Sequence, residues 1–250
     1  GALVGIPNVG NVLASIKKAV FDDQFLTMES IKEAIDQNFT DSNAAEIRQI
    51  LLNRIPKYGE DENYVDELTA LALNDYCELI SQFKNMRHGK GPIGGTYYAS
   101  TVTISSNITA GDVVGATPDG RKAHEPTADG ISPSQGCGKK GPTAIIHSVT
   151  KLPTVLMTGG QLLNIRLQNS LLKSSAGINK LAAVLRSLVD MKGWHVQFNT
   201  ISTEVLRDAI KHPENYRDLI VRVAGYSALF VMLDPVLQMD ILSRMEHDLT

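Results

Sequence analysis

The stretch Ile220-Val221-Arg222-Val223-Ala224-Gly225-Tyr226-Ser227-Ala228 constrains this chain more than any other. A β-branched run stops at a single glycine, and a tyrosine follows. Such a run favours a strand, and glycine enters positive φ without a steric penalty. One reading is therefore a strand that ends at a turn. A second reading is chemical. The Cα of glycine carries two hydrogens and no side chain. Loss of one hydrogen leaves an unpaired electron that spreads over both flanking amides, with no Cβ to force the centre out of plane. A backbone radical of this kind can be stored where water and oxygen are kept out.

Length and composition set the outer bounds. The 250 residues suit one large domain or two small ones. A hydrophobic content of 43% with 20% charged residues is that of an ordinary globular protein. The net charge of −3 and the absence of a long basic run argue against nucleic acid or an anionic membrane as partner. Cys77 and Cys137 make no disulfide framework and suit a reducing cytoplasm. No apolar run reaches the roughly 18 residues that a membrane span needs. The six histidines form no HisxxxHis pair, so no metal site is expected. The opening Gly1-Ala2-Leu3-Val4-Gly5-Ile6-Pro7-Asn8 reads like the interior of a longer protein, so a fragment or a processed piece is expected.

Periodicity predicts helices at 10–21, at about 28–38 behind a Thr27 cap, from Asp41 or Ser42 to before Pro56, and at about 61–87. In the last of these, Val65, Leu68, Ala72, Tyr76, Leu79, Phe83 and Met86 form one apolar face, and Cys77 sits beside it as a small core residue. Residues 88–95 are a glycine-rich connection without the Walker pattern. A strand over 97–104 precedes a long, proline- and glycine-punctuated stretch at 106–141 that reads mostly as loop, and loops of this length are either functional or disordered. Asp119 and Arg121 pin a turn in it. Then come a short helix at 144–151 capped by Thr143, a strand at 161–167, a helix at 178–191, and a strand from Trp194 to Asn199. A helix capped by Ser202, the strand at 220–224 and a last helix opened by Asp234-Pro235 complete the chain. Helices alternating with strands in the second half indicate an α/β fold.

His195, Gln197 and Asn199 share one face of their strand, just before the glycine stretch. That face is either a hydrogen-bonded polar surface packed on another element or a shell that positions the Gly225 loop, and the two are compatible. Arg222 is a candidate anchor of the loop through a carboxylate, and Tyr226 a candidate cover.

Arg222-Val223-Ala224-Gly225-Tyr226-Ser227-Ala228 resembles the signature of the glycyl-radical enzymes, the pyruvate formate-lyase superfamily. Further motifs in the same order carry the resemblance over nearly the whole chain. They are Gly115-Ala116-Thr117-Pro118-Asp119-Gly120-Arg121-Lys122, Ser132-Pro133-Ser134-Gln135-Gly136, Gly193-Trp194-His195-Val196-Gln197-Phe198-Asn199, His212-Pro213-Glu214-Asn215-Tyr216-Arg217-Asp218-Leu219 and Ile241-Leu242-Ser243-Arg244-Met245-Glu246-His247. The resemblance is closest to the branch of diol, choline and hydroxyproline eliminating enzymes.

What it implies is the C-terminal part of a ten-stranded α/β barrel with outer helices. Residues 1–130 would be a flanking helical and loop region, and 131–250 the glycyl-radical domain. Gly225 would hold a radical installed by an activating enzyme with an iron–sulfur cluster and S-adenosylmethionine, with no cofactor bound to this chain. The family's catalytic cysteine and the glutamate two residues after it have no counterpart here, because neither Cys77 nor Cys137 lies in that motif. The radical would therefore pass to a thiol in the remaining N-terminal part of the enzyme, which would act on a small molecule and form a homodimer. A stand-alone radical carrier that completes a partner, and a non-radical α/β binding module, stay open beside this reading.

Overall fold

The computed structural model describes residues 1–87, 89, 95–101, 103–244 and 246–247. Most of the expected glycine-rich connection at 88–95, Val102 in the expected strand, and Met245 lie outside the described residues.

Helices build the first half. α1 (Ile6–Ile16) runs into a π-helical turn at Lys17–Asp22. It starts before the expected residue 10, because Pro7 occupies its first turn, where a fixed φ and a missing N–H are tolerated. α2 (Met28–Asp36) opens on a reciprocal cap between Thr27 and Ser30. α3 (Ser42–Asn53) opens on the Asp41 carboxylate, 2.7 Å from the Ala44 nitrogen. α4 (Asn63–Ser81) is shorter than expected and turned about its axis. Its buried stripe is Val65, Thr69, Leu73 and Cys77, spaced by four. α1 packs on α4, and Gly10 permits the approach, since a β-carbon there would lie 1.8 Å from Thr69 Oγ1. Leu79, Phe83 and Met86, inside by periodicity, are exposed.

The expected strand at 97–104 reduces to single-residue bridges of Ser100 with Ala2 and Thr101 with Gln161. Positive φ at Ile104 and Ser105 ends the extended run, and α5 (Ser106–Val113) follows inside the stretch expected as loop. The Asp119 carboxylate accepts from the Thr117 hydroxyl, the Arg121 N–H and the Asn8 amide, and so pins the expected turn. α6 (Pro142–Thr150) starts on Gly141-Pro142 and not on a Thr143 cap.

Strands and helices then alternate: β1 (Asn164–Leu167), α7 (Ser175–Asp190), β2 (Gln197–Asn199), α8 (Thr203–Lys211), β3 (Ile220–Arg222), β4 (Ser227–Leu229), α9 (Pro235–Ser243) and β5 (Glu246–His247). β1 is the middle of a parallel sheet, with β2 on one side and β5 on the other. β3 and β4 form an antiparallel hairpin. Parallel strands joined through helices make the fold class α/β. One core gathers α1 to α4, α6 and β1 and draws residues from both sides of position 130. A second, smaller core gathers α8, α9 and the inward side chains of the hairpin, Val221, Val223, Ala224 and Phe230.

Candidate functional site

Gly225 sits at the tip of the β3–β4 hairpin. The strands pair Ile220 with Leu229, Val221 with Ala228 and Arg222 with Ser227. The Val223 N–H donates to the Tyr226 carbonyl at 2.9 Å, closing a two-residue turn of Ala224 and Gly225. Gly225 has φ +81°, which an L-residue adopts only at a cost. Space is not the reason for glycine, because nothing lies within 4 Å of where a β-carbon would stand. Val223 and Ala224 are buried beneath the tip, while Gly225 and Tyr226 are exposed. The shielding that a stored radical requires is thus not supplied by the described residues, and the expectation of a water-free glycine is corrected for this chain.

The tip is held from β2 by side chains. The Gln197 carboxamide donates from Nε2 to the Val223 carbonyl at 3.3 Å and accepts the Gly225 N–H on Oε1 at 3.1 Å. The Asn199 carboxamide donates to the Arg222 carbonyl at 2.7 Å and accepts the Arg222 N–H at 2.9 Å. Two side chains on one face of a strand thereby satisfy backbone groups that a ladder partner would otherwise take. His195, the third residue of that face, bonds elsewhere: its Nδ1 accepts the Leu163 N–H at 3.2 Å. Its pKa lies below the ordinary histidine value, through burial first and the positive Arg222 second.

Arg222 donates from Nη1 to the Ser227 hydroxyl across the hairpin at 3.1 Å. It makes no ion pair with a carboxylate among the described residues, so the expected acidic anchor is replaced by a neutral one. Tyr226 joins the turn through its backbone carbonyl, and its side chain is part of the exposed surface.

Two further residues meet the tip that the strand-face pattern did not single out, and a third, Asp129, stands behind them. The Val223 carbonyl also accepts from Arg244 Nη1 at 3.0 Å and from Asn164 Nδ2 at 3.4 Å. Arg244 Nη2 lies 3.0 Å from Asp240 and 3.3 Å from Asp129. The Asp129 carboxylate also accepts from the Thr103 hydroxyl and the Asn164 amide. Arg244 belongs to one of the family-like motifs, but its partners lie far away in sequence, and no spacing announces them.

Neither cysteine is placed for chemistry at the tip. Cys77 is buried in the α4 stripe, and burial raises its pKa. Cys137 is half-buried, and desolvation of its thiol pushes the pKa up to about 11. At neutral pH such thiols stay protonated. No group of three histidines, cysteines or carboxylates that could hold a metal occurs among the described residues. No helix among them is long and apolar enough to cross a membrane.

Comparison with known proteins bears on the family and the fold. A glycine radical family model matches residues 127–231, and a pyruvate formate lyase-like model matches residues 1–111. A probable dehydratase of Escherichia coli, YbiW, is 48% identical over 248 residues, which is 99% of this chain and 31% of that protein. The trans-4-hydroxy-L-proline dehydratase of Clostridioides difficile is 37% identical over 98% of this chain and 30% of its own length. Among solved structures, the glycerol-bound B12-independent glycerol dehydratase of Clostridium butyricum superposes with a TM-score of 0.91 at 42% identity. That match covers 98% of this chain and 30% of that one. The chain thus spans about 30% of the length of these relatives. Two family models together cover most of the sequence, and the relatives match over nearly all of it: the chain belongs to the glycyl-radical enzyme family.

Proposed function

We infer that this chain is the radical-bearing portion of a glycyl-radical lyase or dehydratase, and that Gly225 is the residue that stores the radical. The observation that carries this reading is the hairpin tip. Gly225 has an open Cα, no neighbour that demands a glycine for space, and an amide gripped by Gln197. It lies inside the segment that the glycine radical family model matches. Gln197 and Asn199 hold the tip backbone, Arg222 ties its two strands together, and Tyr226 flanks the radical carbon. His195 acts from behind, by fixing the start of β1 against β2.

An activating enzyme with an iron–sulfur cluster and S-adenosylmethionine would remove one hydrogen atom from Cα of Gly225, the atom leaving on a radical that the activating enzyme generates from its own S-adenosylmethionine. The remaining electron is shared by the two flanking amides. In this chain Cα is open to such an enzyme and equally open to oxygen. Cover during storage comes from the portion of the enzyme outside this chain, which also brings the cysteine that takes the radical to substrate. The substrate class is a small hydroxylated molecule that loses its hydroxyl group, as the glycerol and hydroxyproline dehydratases among the relatives suggest. The radical-bearing segment is assigned to residues 131–250, the working protein is a homodimer, and its compartment is the cytoplasm.

Anaerobic incubation with a radical S-adenosylmethionine activating enzyme, followed by electron paramagnetic resonance, tests the assignment. The expected result is a doublet that disappears in Gly225→Ala, with backbone cleavage at Gly225 on exposure to air. A signal that survives in Gly225→Ala, or no signal under conditions that activate a full-length relative, overturns it.

A further inference from the structure

We propose that Arg244 is a positioning residue that seats the glycine hairpin, and that Asp129 and Asp240 are the fixed points it is fastened to. The proposal rests on the hairpin being the radical loop, and it adds the element that decides whether that loop is docked.

The observations are these. Arg244 stands directly after α9, and its guanidinium is mostly buried. One arm, Nη1, reaches the Val223 carbonyl, two residues before Gly225, with the shortest of the three contacts that oxygen receives. The other arm, Nη2, meets Asp240 from α9 and Asp129 from the loop that follows α5. Both carboxylates are buried and separately fixed. Asp240 accepts from the Gln135 amide at 2.8 Å, and Asp129 accepts from Thr103 and Asn164. The Arg244 backbone is fixed as well, since its carbonyl accepts from Arg166 Nη1 at 3.3 Å. Arg166 in turn pairs with Glu246.

A guanidinium has five donors in a rigid plane, so it can hold a carbonyl with one edge and carboxylates with the other. The hairpin has no backbone ladder to β2 among the described residues. The polar links from its tip to the body are this guanidinium and the carboxamides of Asn164, Gln197 and Asn199, beside the burial of Val223 and Ala224 in the second core. Of these contacts only the Arg244 link is charge-assisted, and it alone spans from the tip to two buried anions. Release of the hairpin leaves that guanidinium with its two carboxylates but takes the carbonyl from its other edge. Undocking is therefore opposed at Arg244 beside the carboxamides and the apolar seat, and removal of Arg244 weakens the seat locally.

Amide hydrogen exchange on this 250-residue chain, read residue by residue, measures docking without any radical. In Arg244→Gln the exchange of the Val223 and Gly225 amides is expected to speed up at least tenfold relative to amides in α4. Arg244→Lys, which keeps the charge but not the two-edged reach, is expected to fall between. Asp129→Asn serves as the second variant, because it leaves the volume unchanged and takes away one fixed point. Its hairpin amides are expected to speed up by a smaller factor. Equal acceleration of hairpin and α4 amides in these variants, or no acceleration at the hairpin, overturns the proposal. Faster radical loading of Arg244→Gln by an activating enzyme would add support. If no radical forms in any variant while the hairpin amides still respond, the radical assignment fails and the seating role stands.

Discussion

At the scale of single residues, Gly225 separates two demands that coincide in most turns. Its φ of +81° calls for glycine conformationally, and the empty space around its missing β-carbon does not. Substitution should therefore be mild for stability and severe for radical storage. Gly225→Ala is expected to lose roughly 1–2 kcal/mol, the cost of a left-handed L-residue, and Gly225→Asn less, because asparagine tolerates that region. Thermal unfolding of the three proteins checks the order, and a collapse of Gly225→Asn would show that space matters after all. His195 gives a prediction in pH. Its folded pKa is held below the ordinary 6.5 by burial, then by Arg222. Its Nδ1 accepts a backbone N–H, which an imidazolium cannot do. Below pH 6.5 the unfolded chain binds this proton more readily than the folded one. Stability from His195 is therefore present above that pH and falls as acid takes the pH down toward the folded value. His247 is depressed by burial as well, so it acts in the same direction. Denaturant unfolding between pH 7.5 and 5 should show the decline, and His195→Asn should flatten part of it. An unchanged slope in the variant would remove His195 from the account.

At the scale of elements, the hairpin is fastened by side chains where a sheet would use backbone. Gln197 is the buried member of the pair on β2, and its loss takes away the side-chain acceptor of the Gly225 N–H. Gln197→Ala is expected to cost about 0.5–1.5 kcal/mol, the net worth of a hydrogen bond, because the exposed Gly225 N–H can turn to water and the Val223 carbonyl keeps two other donors. Gln197→Glu keeps the acceptor for that N–H but loses the donor to Val223. It should recover part of the Gly225 amide protection in hydrogen exchange, and equal loss in both variants would refute the bidentate role. This pair was legible in the sequence, because alternation along a strand fixes which side chains share a face. Caps were legible too: Thr27, Asp41, Ser202 and Asp234 all sit where a short polar side chain precedes an apolar period. The orientation of α4 was not. Its sequence carries apolar residues on more than one side, and periodicity cannot say which side meets α1. The close approach at Gly10 and Thr69 selects the stripe with Leu73 and Cys77. Asp129, Asn164 and Arg244 were illegible for a related reason. Each is an ordinary polar residue until tertiary contact brings Asn164 and Arg244 to one carbonyl and Asp129 behind both.

At the scale of the whole molecule, the apolar surface is the feature that needs a partner. Leu79, Phe83, Met86, Tyr97 and Tyr98 are exposed on neighbouring segments, which the Tyr97 N–H joins to the Phe83 carbonyl. Ile220 and Leu229, a cross-strand pair of the hairpin, are exposed beside Tyr226 and Met232. In the parallel sheet, β2 and β5 each pair with β1 alone among the described residues. Exposed apolar clusters and open strand edges favour association. The chain matches about 30% of the length of its relatives while keeping their local geometry at a TM-score of 0.91. The simplest physical account is that these faces are complementary to the rest of such an enzyme and remain uncovered without it. At micromolar concentration this chain is therefore expected to associate, with a mass in light scattering that rises with concentration. Phe83 and Met86 offer the cleanest control, since both side chains are exposed and neither supports the α1–α4 packing. Phe83→Ser with Met86→Ser should lower the apparent mass while circular dichroism stays unchanged. A monodisperse monomer of the unsubstituted chain would mean that the exposed faces are tolerated in water, and the argument for a missing complementary surface would fall with it.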